Sequence, residues 1–187
     1  LKNNPDTTDV FYMPIIESAL GVVNAYAIAS ASKRIVSLAI GLEDYTADLG
    51  VQRSRDDRES FFARSAIVNA GRAAGVQPID TVFSDVGDPE GLFNSVTEAK
   101  NMGFDGKGCI HPRQIRTIHE AFAPTEKEIA KATRIVKAFE KAEKAGLSVV
   151  SLGSKMIDPP VVKRALHTVE LAISSGILAE NWREDNE

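Results

Sequence analysis

The sequence predicts an α/β protein built on a parallel sheet or barrel. Apolar runs of strand length occur at residues 11–16, 34–45, 77–85 and 104–115, and segments with helical spacing lie between them. This repeated β/α order is the signature of parallel strands joined by crossover helices. After residue 122 the alternation stops, so a second region of different character begins there.

The predicted helices and strands of residues 18–75 follow one another along the chain. Residues 18–32 are rich in small side chains and have helical spacing. The strand at 34–45 ends in acidic residues, and 54–75 is predicted to be a helix capped by Ser54 or Asp56 and stopped by Gly75.

The remaining elements follow the same reasoning. Residues 89–103 predict a third helix, and 104–115 a short strand that runs into a loop and a helix. Residues 123–146 predict a long helix, with Thr125 and Glu128 as a capping box. A loop at 147–160 should lead to a last helix from about Pro160, a residue suited to a first helical turn.

Composition limits the possible functions. The 187 residues are 43% apolar and 26% charged, which is typical of a soluble globular protein, and we find no apolar run of membrane-spanning length. A net charge of −4 argues against a nucleic-acid surface. The single cysteine, Cys109, excludes an internal disulfide framework and favours a reducing, cytoplasmic location, and no signal peptide is visible. Because the first residue is Leu, we expect the natural chain to begin further upstream.

Acidic residues follow the first two predicted strands. Glu17 ends the apolar run "FYMPII", and Glu43, Asp44 and Asp48 follow the second strand. The carboxyl ends of parallel strands share one rim, and carboxylates without His or Cys nearby suit Mg²⁺. The alternative is that these acids are solvated or cap the next helix, which is the commoner role of acids at strand ends.

A series of motifs resembles the citrate lyase beta subunit family, which includes citramalyl-, malyl- and methylmalyl-thioester lyases. The motifs occur in order from about residue 11 to 172. They are "IESALGVVNAYAIA", "GLEDYTADLG", "PIDTVFSDV", "GFDGKGCIHPRQI", "APTEKEI" and "KMIDPPVVKRA". Each motif alone is weak, but the ordered series is specific.

The resemblance implies a TIM-type barrel whose Mg²⁺, or Mn²⁺, is held by Glu17 and Asp44. A complete barrel takes about 250 residues and eight strands. Residues 1–122 therefore resemble its second half, and 123–187 a helical extension that packs on a neighbouring subunit. The substrate-binding arginine of the family is expected upstream, since no position here matches it.

The resemblance also assigns roles outside the metal site. Asp158 would act as an acid in a neighbouring subunit's site, although an N-cap is the simpler interpretation. His111 could be a catalytic base or structural, and we place it near the thioester carrier. Lys107, with Arg53 and Arg55, could attract carrier phosphates or simply be solvated.

Other reactive side chains have ordinary explanations. We expect Cys109 to be a small buried side chain and Asp85 and Asp88 to be turn residues. His119 and His167 fall in helical segments, where surface or packing roles are expected.

Three functions compete. The first is a citrate lyase beta subunit, which cleaves citryl thioester on an acyl-carrier protein to oxaloacetate and acetyl thioester. The second is a citramalyl- or malyl-coenzyme A lyase, and the third a barrel without catalysis that binds a ligand or serves assembly. Intact Glu17 and Asp44 disfavour the third. The expected partners are a 2-hydroxy-acid thioester, further copies in a trimer or hexamer, and acyl-carrier and transferase subunits, with no nucleic acid and no membrane.

Overall fold

The computed structural model describes residues 10–54, 56–146, 150–152 and 155–183. The chain divides into two compact units, Leu1–Phe122 and Ala123–Glu187. Within the described ranges, no helix is both long enough and apolar enough to cross a membrane.

The first unit is a four-stranded parallel sheet with helices along it. The strands β1 to β4 are adjacent in chain order. They are Ile15–Ile16, Ser37–Ile40, Gln77–Asp80 and Gly106–Lys107. The helices α1 to α6 are Ala19–Val23, Ala25–Ala29, Leu42–Leu49, Arg58–Ala74, Pro89–Met102 and Pro112–Phe122. Parallel strands in sequential order bring all four carboxyl ends to one edge of the sheet.

The strand register defines the two faces of this sheet. Ile15, Ala39, Ile79 and Gly106 are paired across the four strands, so they occupy one row. Side chains alternate between faces along a strand. On β1, for example, Ile16 is 3% exposed and packs in the core, whereas Ile15 is 54% exposed on the other face.

Helix α4 covers one face of the sheet closely. Its Ala63 and Ile67 are fully buried in the same core as Leu38 of β2. A side chain at Gly71 would approach the Val76 carbonyl oxygen to 3.1 Å, so the glycine allows α4 to lie against the start of β3. Gly75 ends this helix at a φ of 72°, as predicted for its stop.

The second unit packs two helices and a hairpin around their own core. Helices α7, Glu126–Lys144, and α8, Pro159–Ser174, flank strands β5, Val150–Leu152, and β6, Lys155–Ile157. The two strands pair antiparallel. The predicted capping box at Thr125 and Glu128 is present at the start of α7.

Two predicted segments fold differently. The helix expected at 18–32 is two short helices, α1 and α2, divided at Asn24. The strand predicted at 34–45 is shorter, Ser37–Ile40, and the acids expected at its end lie in helix α3, which buries Leu42 and Tyr45 and ends at Gly50 with a φ of 72°. Leu42, Tyr45 and Leu49 have helical spacing, which the cluster of acids obscured.

Two further predictions need correction. The N-cap of α4 is Asp57, not Ser54 or Asp56, and its carboxylate forms ion pairs with Arg53 and Arg64 instead of capping. The loop predicted at 147–160 contains the hairpin of β5 and β6, although 147–149 and 153–154 lie outside the described residues. Strands of three residues are too short to show a clear alternating pattern, which is why the sequence did not reveal them.

Candidate active site

Glu17 and Asp44 lie at the carboxyl ends of adjacent strands. Glu17 directly follows β1, and Asp44 is in the first turn of α3, which begins two residues after β2. The Gly41 amide donates to the Ile16 carbonyl over 2.9 Å, which fixes the two strand ends beside each other. Both acids are exposed, and among the described residues neither side chain has a hydrogen bond or an ion pair. Their carboxylates are therefore available to a ligand.

The neighbouring acids are already engaged. Glu43 accepts a hydrogen bond from Arg53 at 3.0 Å, and Asp48 accepts one from the Ala19 amide at 2.8 Å. Asp48 thus holds the start of α1 against α3. Of the four acids that follow the first two strands, Glu17 and Asp44 are the two that the described structure leaves without partners.

The donor set suits a hard divalent cation. Two carboxylates offer only oxygen, the ligand type that Mg²⁺ prefers, and Mg²⁺ commonly keeps waters or substrate oxygens in its other positions. In the described part of the chain, no group of three His, Cys, Asp or Glu side chains could hold a metal. The residues present therefore fit a site in which Glu17 and Asp44 are the protein ligands and substrate supplies others.

Lys107 is buried on the opposite face of the sheet from Glu17. Its side chain is 1% exposed, and its ammonium donates to Asp80 over 2.8 Å. Asp80 also accepts from Arg64 Nε at 3.1 Å and Nη2 at 3.0 Å, which completes a buried ion cluster between α4 and the sheet. A role in binding carrier phosphates requires an accessible ammonium, so we do not assign that role to Lys107.

The charges of this cluster perturb each other. Burial lowers the pKa of Lys107; Asp80 opposes that shift, and the positive charge of Arg64 adds to it. Burial alone would lower the pKa of Arg64, but Asp80, with Glu98 and Asp57, outweighs it and the pKa is raised. The cluster therefore fixes charged groups that tie β3, β4 and α4 together.

His111 lies just before α6, beyond the carboxyl end of β4, at the end of the sheet edge opposite to Glu17 and Asp44. The His111 ring accepts a hydrogen bond at Nδ1 from the Arg113 amide over 3.1 Å. Because Nδ1 is the acceptor in this contact, Nε2 is the ring nitrogen that can donate to a ligand. Cys109 is exposed, not buried as expected, and its thiol donates to the His111 carbonyl over 3.2 Å, because the loop after β4 lies at the surface.

Gln114 links two loops at the same edge of the sheet, and its role was not predicted from the sequence. It is 2% exposed; its amide donates to the Phe83 carbonyl over 2.8 Å and accepts from the Ile110 amide over 3.1 Å. It thus joins the loops that follow β3 and β4. A usable signal was present, since Gln114 shares a helical face with the buried residues Ile118 and Ala121.

Asp158 lies in the second unit as the N-cap of α8. Its Oδ1 accepts from the Val161 amide over 3.1 Å, and the residue is half-buried. The capping interpretation is therefore confirmed, while a catalytic role stays a prediction. A carboxylate has two oxygens, so capping through Oδ1 leaves Oδ2 for other contacts.

The other predicted residues have structural roles. Arg53 forms ion pairs with Glu43 and Asp57, and Arg55 lies outside the described residues. Asp85 and Asp88 accept hydrogen bonds from Gly87 and Gly91, as expected of turn and capping residues. His119 and His167 are exposed on α6 and α8.

Comparison with known proteins tests the resemblance. Residues 5–112 match the family described as HpcH/HpaI aldolase/citrate lyase. Citrate lyase subunit beta of Haemophilus influenzae is 47% identical over 165 residues, which are 88% of this chain and 56% of that protein. The mitochondrial citramalyl-CoA lyase of Rattus norvegicus is 34% identical over 170 residues, covering 87% of this chain and 50% of that protein.

A solved structure shows the same fold. The crystal structure of protein CitE from Mycobacterium tuberculosis in complex with magnesium, acetoacetate and coenzyme A matches with a TM-score of 0.76 and 31% identity. The match covers 87% of this chain and 61% of that one, so this chain spans roughly half to three fifths of the length of its relatives. This likeness confirms the predicted barrel-type fold. The chain belongs to the HpcH/HpaI aldolase/citrate lyase family.

Proposed function

We propose that the protein is a magnesium-dependent carbon–carbon lyase that cleaves a citryl thioester to oxaloacetate and an acetyl thioester. The observation that carries this proposal is the pair of unpartnered carboxylates, Glu17 and Asp44, at adjacent strand ends. The 47% identity to a citrate lyase subunit beta supports the citryl substrate over the citramalyl one, for which the identity is 34%.

Glu17 and Asp44 are the proposed magnesium ligands. When bound, Mg²⁺ polarises the carboxylate and hydroxyl oxygens of a 2-hydroxy acid and stabilises the charge that develops on them. The task of the two side chains is to hold their oxygens towards the substrate. A magnesium complex of the relative from Mycobacterium tuberculosis supports this assignment.

The cleavage needs two proton transfers, one from the substrate to a base and one from an acid to the departing thioester half. Removal of the substrate's hydroxyl proton lets that oxygen become the keto oxygen of oxaloacetate while the adjacent carbon–carbon bond breaks. The electron pair of this bond passes to the thioester half as an enolate, which takes up one proton to give the acetyl thioester. We assign delivery of this proton to Asp158 of a neighbouring subunit, since its capping contact occupies only Oδ1.

His111 is the proposed contact for the thioester carrier. Its Nδ1 is fixed by the Arg113 amide, which leaves Nε2–H as a donor at the β4 end of the edge. Glu17 and Asp44 lie at the other end, after β1 and β2. A carrier arm contacting His111 would thus approach the metal site along the edge. We leave Lys107 out of this role, since its ammonium is buried and donates to Asp80.

The proposed assembly follows from the same function. We place the second unit, Ala123–Glu187, against a neighbouring subunit, in a homo-oligomer that works with acyl-carrier and transferase subunits. The protein would act in the cytoplasm.

Mixing an Asp158→Asn chain with an Asp44→Asn chain tests whether the proton is delivered in trans, because some interfaces then combine an intact metal site with an intact acid. Inactivity of every confirmed mixed oligomer would contradict that arrangement.

Substrate choice is tested directly with the full-length protein. Citryl and citramalyl thioesters, each on coenzyme A and on the acyl-carrier protein, are assayed for release of oxaloacetate or pyruvate. The proposal predicts preferential release of oxaloacetate from citryl thioester. Preference for citramalyl-coenzyme A would move the protein to the second candidate function, and absence of any cleavage with Mg²⁺ bound would favour a non-catalytic role.

A further inference from the structure

Gly41 is in unusually close contact with the side chain of Glu17. A Cβ atom built on Gly41 would lie 2.5 Å from Glu17 Oε1, 2.7 Å from its Cγ and 3.0 Å from its Cδ. Real Cβ atoms essentially never approach other atoms within 3.0 Å. All three contacts belong to one side chain, so the Glu17 carboxyl group occupies the space that any other residue at 41 would fill.

The backbone does not explain the glycine. Gly41 has a φ of −107° and a ψ of 103°, an extended conformation that any residue adopts. It stands at the N-cap of α3, where glycine is tolerated, but serine, asparagine or aspartate would cap better with a side-chain oxygen. The structural reason for glycine here is therefore the space beside Glu17.

We propose that Gly41 is a positioning residue, whose missing side chain sets where the Glu17 carboxylate lies relative to Asp44. This inference rests on the proposed metal site. Gly41 is also joined to the end of β1 through its hydrogen bond to Ile16, so it cannot easily move away from Glu17. With a methyl group at 41, the adjustable part is the flexible Glu17 side chain, and its carboxylate is displaced.

The inference predicts an unusual combination of effects for Gly41→Ala. Stability should change little, because alanine suits the extended conformation and restricts the unfolded chain, which offsets its poorer N-capping relative to glycine, and Glu17 is exposed. Metal affinity should fall about 10- to 100-fold, the loss typical when residues that orient a ligand are changed. A residue with a purely structural role would show the opposite pattern.

Binding of Mn²⁺ to the full-length protein is measured by calorimetry and by the paramagnetic resonance signal of free Mn²⁺, with melting temperature as a second readout. Wild type, Gly41→Ala and Glu17→Gln are compared. Gly87→Ala is the matched control, since Gly87 is an exposed loop glycine whose added Cβ would meet only Asp85, at 3.2 Å. We expect weaker Mn²⁺ binding in Gly41→Ala and Glu17→Gln, wild-type affinity in Gly87→Ala, and little change of melting temperature in Gly41→Ala.

The outcomes separate the inference from the proposed function. If Glu17→Gln weakens binding but Gly41→Ala does not, the role of Gly41 is wrong and the metal site stands. A Gly41→Ala protein that fails to fold also overturns the inference, because only an exposed side chain should have to move. If the wild type binds no Mn²⁺, or Glu17→Gln binds it unchanged, the metal site itself fails and the inference with it.

Discussion

Asp80→Asn should strongly destabilise the first unit. Asp80 is fully buried and accepts hydrogen bonds from two cations, Arg64 and Lys107, whose side chains are each 1% exposed. Asparagine has nearly the same size, so the substitution removes the negative charge with little change in packing. Both cations then stay buried, and the acids left near Arg64 are Glu98, 48% exposed, and Asp57 at 3.7 Å.

The size of the effect follows from this geometry. Removing one partner of a buried ion pair costs about 3–5 kcal/mol, because an uncompensated charge stays in the interior. A domain is stable by only about 5–15 kcal/mol, so this loss is a large part of the total. Lys107→Met should cost much less, since the Arg64–Asp80 pair persists and the burial of one ammonium is relieved.

Urea denaturation of each variant measures the change in unfolding free energy. Asp105→Asn is the control, because Asp105 pairs with the half-exposed Arg72, and partly exposed pairs contribute about 0–1 kcal/mol. We also expect Lys107→Met to recover part of the loss when combined with Asp80→Asn. A cost for Asp80→Asn no larger than that for Asp105→Asn would refute the buried-cluster reasoning.

Two further predictions concern pH and the second unit. Burial of Tyr45, with a smaller effect of Asp48, raises the pKa of its phenol above 10.0, so the folded state keeps a proton that the unfolded chain loses. The raised pKa contributes stability that is present below pH 10 and is lost as the pH rises through the folded-state pKa. Tyr45→Phe should therefore make the urea midpoint fall less steeply above pH 10. Equal slopes of urea midpoint against pH in wild type and variant would contradict this. For Asp158, alanine should cost about 1 kcal/mol as a lost cap and asparagine little. Both should lower turnover about 10²- to 10⁴-fold if the carboxyl group is the acid, whereas normal turnover in Asp158→Asn would leave only capping.

Local patterns in the sequence predicted the elements that depend on local signals. The alternation of apolar runs gave the parallel strands, and glycine and capping-box residues gave helix ends such as Gly75 and Thr125. The hairpin of β5 and β6 was missed because its strands gain their stability from pairing with each other, which a three-residue pattern does not show.

In the candidate site, too, some features could be predicted from the sequence and others could not. Strand order was enough to predict that Glu17 and Asp44 share an edge, because parallel strands end on the same side. Strand order could not show that Asp48 contacts the Ala19 amide or that Lys107 of β4 contacts Asp80 of the adjacent strand β3. Those contacts join residues 27 or more positions apart, and only the folded chain determines them.

The proposal that Glu17 and Asp44 hold a catalytic magnesium ion can be tested in a single experiment. Mg²⁺ affinity and citryl thioester cleavage are measured on the same full-length preparations of wild type and the Glu17→Gln, Asp44→Asn double variant. We expect the wild type to bind Mg²⁺ and to release oxaloacetate only with metal present, and the double variant to lose both properties while keeping its fold. Unchanged Mg²⁺ affinity in the double variant, or cleavage that persists without metal, would contradict it.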